Sequence, residues 1–368
     1  MSRRTRLAAV LLAALFAADG AVATDGFTGS EPGCCMPGFV NAKLIGKSEP
    51  PTYPRIELNA GREGWVRISY VIDTKGVPTG LFVEASNGIE RFERRALEWA
   101  ADLRYEPATL NGIPVAQARN GYRITFGLGE ITGLTRQFKK HYQRAHEALV
   151  ENRLGDAEVH IATAAARPSL NLREEAWLAT LSGRLCQARE QLECMLEAFA
   201  DALAYGGESV DADVLRAVAQ AKLVAELKAS RFAEARRTYT SLAGLIGEET
   251  AEAQFAAAME RMDALIASAD PIQLEGMLNR PGAATDGPGI WSFEPVRRRP
   301  ALLEVEGAVK QLQVRCSAYS ATIEPQTGRA WRLPEEGGKC HLYFFGDPGT
   351  TILVEEMPVA AVTAEPVR

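Results

Sequence analysis

The sequence predicts a multidomain α+β protein with a small antiparallel sheet carrying one helix, an α-helical region and a small C-terminal β module. Apolar residues alternate between Val66 and Ile72, which is typical of a half-buried strand. Residues 134–269 are alanine-rich, and their apolar residues recur at helical spacing. Short strand-like runs return at 301–358. A chain of 368 residues is also expected to fold as two or three domains.

The first residues predict export from the cytoplasm. Three arginines among residues 3–6 precede an apolar run from Leu7 to Ala18, and Ala21-Val22-Ala23 offers small residues for signal peptidase. We expect a cleavable signal peptide at 1–23. No stable membrane span is expected, because the run is shorter than the roughly 20 residues that cross a bilayer. An uncleaved signal anchor is the alternative.

The charge balance excludes some classes of partner. The chain has 41 basic and 47 acidic residues, and its net charge of −6 argues against binding of nucleic acid or an anionic membrane surface. The basic run Arg297-Arg298-Arg299 lies beside Pro300 and is interpreted as a solvated linker. Ile45 to Ser48 ends like a phosphate-binding loop, but Asn41 stands where that loop needs a glycine, so no nucleotide is expected.

Six cysteines in an exported chain predict disulfide bonds. Proximity along the chain favours Cys186 with Cys194 and Cys316 with Cys340 as the disulfide candidates, although other pairings are open. The neighbours Cys34 and Cys35 are free, paired elsewhere or joined to another chain. Since the chain has no Cys-x-x-Cys and no histidines at ligand spacing, neither a metal nor another cofactor is expected.

Residues 24–49 are rich in glycine and proline and are interpreted as a tether. A domain is expected at 50–128, where the first strand ends in the turn residues Asp73 to Gly76. A returning strand follows from Leu81 to Ala85. The two strands therefore pair as a hairpin.

The period then changes from two residues to a helical one. Apolar residues from Phe92 to Leu103 fall on one helical face, and Asn87 with Glu90 has the spacing of a capping box. The period of two returns from Tyr122 to Phe126. This order of strand, strand, helix and strand predicts an antiparallel sheet with the helix on one face.

The helical region at 134–269 contains internal echoes. Similar segments open helices at Leu154, Gln191 and Ser230, each after an amphipathic helix. Helix pairs at this period resemble tetratricopeptide repeats, of which about three are expected, with a capping helix at 250–268.

Beyond the helices, residues 270–300 contain proline, glycine and aspartate clusters and are interpreted as a second linker. The small β module at 301–358 is expected to need a disulfide, because small cores usually do.

No catalytic residues are predicted. The chain lacks His-Glu-x-x-His, Gly-x-Ser-x-Gly and Ser-x-x-Lys motifs. Its four histidines are interpreted as exposed or packed helix residues, and the protein is not expected to be an enzyme. They are His141, His146, His160 and His341.

Several short motifs occur in order between Pro50 and Leu128. They are Tyr53-Pro54, Gly64-Trp65-Val66, Asp73-x-x-Gly76, Ser86-x-Gly88, Ala96-Leu97, Pro107-Ala108 and Gly112-x-Pro114. This stretch resembles the C-terminal domain of the TonB energy-transducer family. The resemblance implies a periplasmic protein whose last strand pairs with a short extended segment, the TonB box, of an outer-membrane transporter. The implied partner-binding residues are Tyr122, Arg123, Ile124, Thr125 and Phe126, with Tyr53 and Pro54 shaping the entry.

Three hypotheses about function follow. The first is a periplasmic protein-interaction protein that binds an outer-membrane transporter or other envelope protein by β-strand addition, while the helical repeats hold a second partner. The second is an envelope scaffold in which the helical repeats alone bind partners. The third is a membrane-anchored transducer, although the short apolar run and short tether differ from those of a true transducer.

Overall fold

The computed structural model describes residues 36–46, 49–129, 133–206, 209–282 and 287–358, together with the backbone of 22–28. The predicted signal peptide lies outside these residues except for its last two positions. The Cys34-Cys35 pair lies outside them as well. Within the described part of the chain, no helix is long and apolar enough to cross a membrane.

The N-terminal part of the chain is an α+β unit. Its elements in chain order are β1 (Val22–Thr28), β2 (Phe39–Val40), β3 (Lys43–Leu44), α1 (Arg55–Asn59), β4 (Gly64–Ile72), β5 (Pro78–Ser86), α2 (Glu90–Ala101), β6 (Tyr105–Glu106), β7 (Thr109–Leu110), β8 (Ile113–Pro114) and β9 (Gln117–Phe126). The predicted order of strand, strand, helix and strand is confirmed as β4, β5, α2 and β9. Residues 24–49 were interpreted as a tether, but β2 and β3 within this segment belong to the folded unit, since they pair with β7 and β6.

The main sheet has the strand order β1-β9-β4-β5, and each neighbouring pair is antiparallel. In the turn between β4 and β5, the Asp73 carboxylate accepts hydrogen bonds from the amides of Lys75 and Val77 at 2.8 and 2.9 Å. Gly76 has a φ of +79°, and a Cβ there would fall 1.8 Å from the carbonyl oxygen of Tyr105. This turn therefore requires glycine.

Both faces of the sheet are covered. Helix α2 packs on one face, where Phe92, Ala96 and Ala100 bury against Ile68 of β4 and neighbouring apolar residues. The alternating pattern of β4 predicts a half-buried strand, but seven of its nine residues, all except Arg67 and Val71, are buried, so the strand is covered on both faces. The reason is that the helical and C-terminal parts of the chain cover the second face.

The predicted capping box at the start of α2 is wrong. The residue that precedes α2 is Ile89, and it makes no side-chain cap. The side chain of Asn87 instead accepts a hydrogen bond from the Trp65 amide at 3.3 Å and donates to Glu175 of the helical region at 2.7 Å. The side chain of Asn87 therefore makes tertiary contacts instead of the helix cap that its spacing from Glu90 predicts.

The predicted helical region is confirmed as consecutive, mutually packed helices. They are α3 (Arg136–Val150), α4 (Leu154–Ala165), α5 (Leu172–Ala188), α6 (Leu192–Ala204), α7 (Ala212–Lys228), α8 (Phe232–Ile246) and α9 (Glu248–Ala267).

Three turns between these helices share one geometry. Asn152, Glu190 and Ser230 have φ values of 57°, 57° and 56°, and they precede α4, α6 and α8. The residue after each of them donates its amide proton to the carbonyl five residues earlier, at 2.8, 2.9 and 2.9 Å. The echoes in the sequence therefore correspond to a repeated helix turn. The assignment to tetratricopeptide repeats stays a prediction.

The C-terminal part of the chain consists of two antiparallel sheets, with the strand orders β10-β16-β12 and β11-β15-β13-β14. Their strands are β10 (Ile272–Met277), β11 (Gly289–Phe293), β12 (Pro300–Glu306), β13 (Val309–Cys316), β14 (Tyr319–Ile323), β15 (Cys340–Gly346) and β16 (Thr351–Glu356). Both predicted disulfides are confirmed. Cys186 bonds to Cys194 between α5 and α6, and Cys316 bonds to Cys340 between β13 and β15.

The interpretation of 270–300 as a linker is wrong. This segment contains β10 and β11, and Trp291 and Phe293 are buried in the core of the C-terminal sheets. The same core includes Leu223 of α7 and Leu242 of α8, so the helical and C-terminal parts are continuous. Proline and glycine at the turns of this segment conceal the alternation of its short strands.

The interpretation of the basic run as solvated is also wrong, because Arg297 is only 5% exposed. Its guanidinium donates to five main-chain carbonyls between the end of α9 and β16. Carbonyls at a helix C-terminus lack partners within the helix, and a cationic side chain can satisfy them. Arg297 therefore joins α9 to the C-terminal sheets.

Polar contacts attach the N-terminal unit to the other parts. Glu63 accepts a hydrogen bond from the amide of Leu172 at the start of α5, at 2.9 Å. Arg315 of β13 donates to the hydroxyl of Ser69 at 2.9 Å and to the carbonyl of Gly80 at 2.6 Å. The sheet is thus held from behind by both neighbouring parts.

Candidate functional site

The predicted partner-binding strand is β9, and its outer edge is paired. β9 has β4 on one side and β1 on the other, so the outer edge hydrogen-bonds to the chain's own residues 22–28. Thr24 lies opposite Arg123, and the register shifts directly after Thr24. The segment predicted to be a tether therefore begins with a strand where the sequence predicts a partner's strand.

Three of the predicted side chains on β9 face the core beneath α2. Ile124 and Phe126 are fully buried there, and the ring of Phe126 stacks on that of Phe92 with centroids 4.3 Å apart. Tyr122 is half-buried, with its ring 5.1 Å from that of Trp99. These side chains stabilise the domain, so a partner strand would contact β9 through the main chain.

Tyr53 belongs to the same core. Its ring lies edge-on to Phe92 and Phe126, at 5.5 and 5.7 Å, and its hydroxyl donates to the carbonyl of Arg62. Burial raises the pKa of Tyr53 above its usual range. Pro54 is half-buried and precedes α1. The structure thus brings Tyr53 and Phe126 together, whereas the role of Tyr53 and Pro54 at the entry to the domain stays a prediction.

Arg123 and Thr125 alternate with these residues and face the other side of the sheet. The guanidinium carbon of Arg123 lies 4.0 Å from the ring centroid of Trp65 and 5.0 Å from that of Tyr205, which follows α6. A cation between two aromatic rings is stabilised by their π faces. Burial is the main cause that lowers the pKa of Arg123. Arg123 therefore attaches β9 to the helical region.

A buried carboxylate lies beside this sandwich. Glu175 of α5 accepts hydrogen bonds from the Tyr205 hydroxyl at 2.6 Å and from the Asn87 side chain at 2.7 Å. Burial raises the pKa of Glu175 to about 7, while both hydrogen bonds act in the opposite direction. This group consequently changes charge near neutral pH.

Sequence reasoning missed a polar cavity behind the sheet. Arg67 of β4 and Arg119 of β9 lie on the face opposite α2, and both line it. His341 also lines it, on β15 rather than on a helix as interpreted from the sequence. The available signal was the alternation of polar with apolar residues, such as Arg67 and Ser69 on β4 and Arg123 and Thr125 on β9. That pattern is equally typical of a solvent-facing strand.

The described residues contain no group of three or more His, Cys, Asp or Glu side chains that could hold a metal ion.

Comparison with known proteins gives the following similarities. Residues 49–128 match the family model for the C-terminal domain of the Gram-negative bacterial TonB protein. Protein TonB of Vibrio cholerae is 33% identical over 73 residues, which cover 20% of this chain and 30% of that protein. This chain therefore spans less than a third of the length of the curated relative it matches. The resemblance predicted for 50–128 is confirmed for that domain.

A solved structure is also similar to part of the chain. The solution structure of the Pseudomonas aeruginosa TonB C-terminal domain is 23% identical, with a TM-score of 0.21. The similarity covers 26% of this chain and 91% of that chain.

Proposed function

We propose that this chain is a periplasmic protein-interaction protein whose β9 edge receives an extended segment of an outer-membrane transporter or another envelope protein. The segment adds as an antiparallel strand along residues 121–126. The helical region, with its repeated turns, holds a second partner, because stacked helix pairs form extended concave surfaces. This role needs protein contacts and no catalytic residue or cofactor.

The observation that carries the proposal is the pairing of β1 with β9. The edge at Asn120 to Thr125 already accepts an antiparallel strand from residues 22–28. An edge that pairs with one extended segment offers the same main-chain donors and acceptors to another. The match of 49–128 to the TonB C-terminal family supports a transporter as the source of that segment.

The proposed mechanism is strand exchange. The partner segment replaces β1, so the number of main-chain hydrogen bonds along β9 changes little. Since β1 belongs to the same chain, it competes at an effective concentration on the order of millimolar. Removing β1 should therefore strengthen binding of a free segment, while the core beneath α2 stays intact.

The test compares the chain beginning at Val22 with a chain beginning at Gly29. The probe is a synthetic peptide with the TonB box of an outer-membrane transporter from the same organism, and a scrambled peptide is the control. We expect the shorter chain to bind the peptide at least about 10-fold more tightly, since the peptide no longer has to displace β1 from the edge of β9. Amide exchange at residues 121–126 should rise in the shorter chain and fall again with peptide.

The proposal fails if the peptide binds neither chain, or binds both without slowing amide exchange at 121–126. Circular dichroism of the shorter chain shows whether the fold survives. If it does not, an excess of peptide added to the longer chain provides the same exchange readout.

The second candidate is the envelope scaffold, in which the helical repeats alone bind partners. The observation in its favour is that β1 occupies the β9 edge. Capture of the same envelope partner by both chains, insensitive to competing peptide, would favour it. The anchored transducer is tested separately by sequencing the mature N-terminus: a start at Thr24 removes that hypothesis.

A further inference from the structure

A cavity of about 700 Å³ lies behind the sheet, between all three parts of the chain. Its walls come from the face of β4, β5 and β9 opposite α2, from α6, α7 and α8, and from β11 and β15. This volume is within the range of roughly 300 to 1,000 Å³ that small-molecule sites occupy. The cavity is separate from the outer edge of β9.

The lining is strongly charged but nearly balanced, with seven Lys or Arg side chains and six Asp or Glu side chains. Many of these charges neutralise each other or a neighbour directly. Arg67 pairs with Glu84 at 3.2 Å, and Arg231 pairs with Glu193 at 2.7 Å. Arg119 pairs with Glu294, behind the wall, at 3.0 Å. Such pairs fix the shape of the cavity and leave little net charge for a ligand.

A cation remains without an acidic partner. Arg123 forms no ion pair with any described carboxylate, and its Nη1 atom is buried with no hydrogen-bond partner among the described residues. Its guanidinium is held in place by Trp65 and Tyr205. A fixed guanidinium with an unused N–H group is suited to a carboxylate.

Carboxylates remain on the opposite, helical wall. Asp201 of α6 makes no ion pair or hydrogen bond with a described residue, although it lies within electrostatic reach of Arg67 and Arg123. Glu234 of α8 has its Oε2 atom buried and unpartnered among the described residues. Carboxylates in this position are suited to an ammonium group.

The nature of the lining excludes three simpler ligand classes. A ligand with only negative charge would face six carboxylates, and one with only positive charge would face seven cations. An apolar ligand would leave the buried Nη1 of Arg123 and Nε2 of His341 without hydrogen bonds, which is costly. A ligand that carries both charges satisfies both walls.

We propose that this cavity binds a small zwitterion of the amino-acid or short-peptide type, with its carboxylate at Arg123 and its ammonium group at Asp201. Trp65 and Tyr205 hold the guanidinium of Arg123 at this position. The ligand would join β9 to α6 from behind the sheet.

The test measures binding to the full chain by isothermal titration calorimetry at pH 7.5. Burial raises the pKa of Asp201 to about 6, so its carboxylate is ionised at this pH. The probes are trialanine with free ends, its N-acetyl form, its C-terminal amide, the doubly blocked form, and free alanine. We expect blocking either end of trialanine to weaken binding by about 10-fold or more, since each block removes a charge-assisted contact.

Protein variants test which residue meets which end. In Arg123→Met the affinity should fall, and amidation of the peptide should have no further effect. In Asp201→Asn the affinity should fall, and acetylation should have no further effect. Arg144→Met, an exposed change on α3 outside the cavity, is the matched control and should bind as the parent does.

The proposal is overturned if no probe binds saturably, or if binding is indifferent to both end groups. If alanine shows the same end-group dependence as trialanine, the ligand is a free amino acid; if only trialanine does, it is a peptide. If Arg123→Met does not fold, the end-group series on the parent protein still decides the result.

Discussion

Arg297→Met is expected to be strongly destabilising, although the residue lies in a run that resembles an exposed linker. Arg297 is 5% exposed, and its guanidinium donates five hydrogen bonds of 2.6 to 3.1 Å. The acceptors are the main-chain oxygens of Leu265, Ile266, Ser268, Asp270 and Glu356. Methionine keeps most of the aliphatic length of arginine and removes all five donors.

The magnitude follows from two opposing effects. A hydrogen bond to a charged group contributes about 1.5 to 3 kcal/mol, so a simple sum over five would exceed about 7 kcal/mol. That sum is too large, because Asp270 and Ser268 are partly exposed and water can replace the lost donors there. Burying a guanidinium also costs several kcal/mol, which the variant recovers. We expect a net loss of about 3 to 5 kcal/mol in the free energy of unfolding.

Urea unfolding followed by far-UV circular dichroism measures this loss. Arg299→Met is the matched control, since Arg299 lies two positions away and its side chain makes no hydrogen bond or ion pair with a described residue. It should cost less than about 1 kcal/mol. Equal stability of the two variants would refute the role assigned to Arg297 between α9 and the C-terminal sheets.

Other predictions concern the core, a disulfide and pH. Phe126→Ala should cost about 3 to 5 kcal/mol, because the ring is fully buried, whereas Leu128→Ala at a 41% exposed position should cost less than about 1 kcal/mol; urea unfolding compares them. Replacing Cys316 and Cys340 by serine should cost about 3 to 4 kcal/mol, and a reductant should then destabilise the parent but not the variant at this site. Burial raises the pKa of Glu356 to about 8 in the native state. Between the ordinary pKa of a glutamate and pH 8, the native state therefore keeps a proton on Glu356 that the unfolded state releases. The free energy of unfolding should therefore fall by roughly 3 to 5 kcal/mol from pH 4.5 to 8, and Glu356→Gln should flatten this slope in unfolding measured across that range.

Local patterns in the sequence predicted the elements that depend on neighbouring residues. The alternation in β4, the turn at Asp73 to Gly76 and the helical period of α2 all act over a few residues, and each is present. The two disulfides also join cysteines that are close along the chain. The Asn87 capping box failed because a carboxylate 88 residues away, on Glu175, binds the same side chain.

In the candidate site too, the sequence predicted features that depend on neighbouring residues and missed those that depend on distant ones. Motif order over 50–128 was enough to predict the domain that resembles TonB, which the family match to 49–128 confirms, while β9 as the partner-binding strand stays a prediction. Motifs did not reveal that residues 22–28 pair with its edge, because a glycine-containing segment that joins a sheet through its main chain carries no distinctive side-chain pattern.

The sequence by itself therefore predicted the order of strands and helices in the domain that resembles TonB and the helical region that follows it, and it favoured both disulfides without excluding other pairings. Only the tertiary structure decided which groups the polar side chains of the strands contact. Arg67 of β4 and Arg123 of β9 line a charged cavity, and Arg315 donates to Ser69 across 246 residues of sequence. The physical reason is that periodicity reports which face of a strand is polar, whereas only the packing of distant parts determines whether that face meets water or another domain.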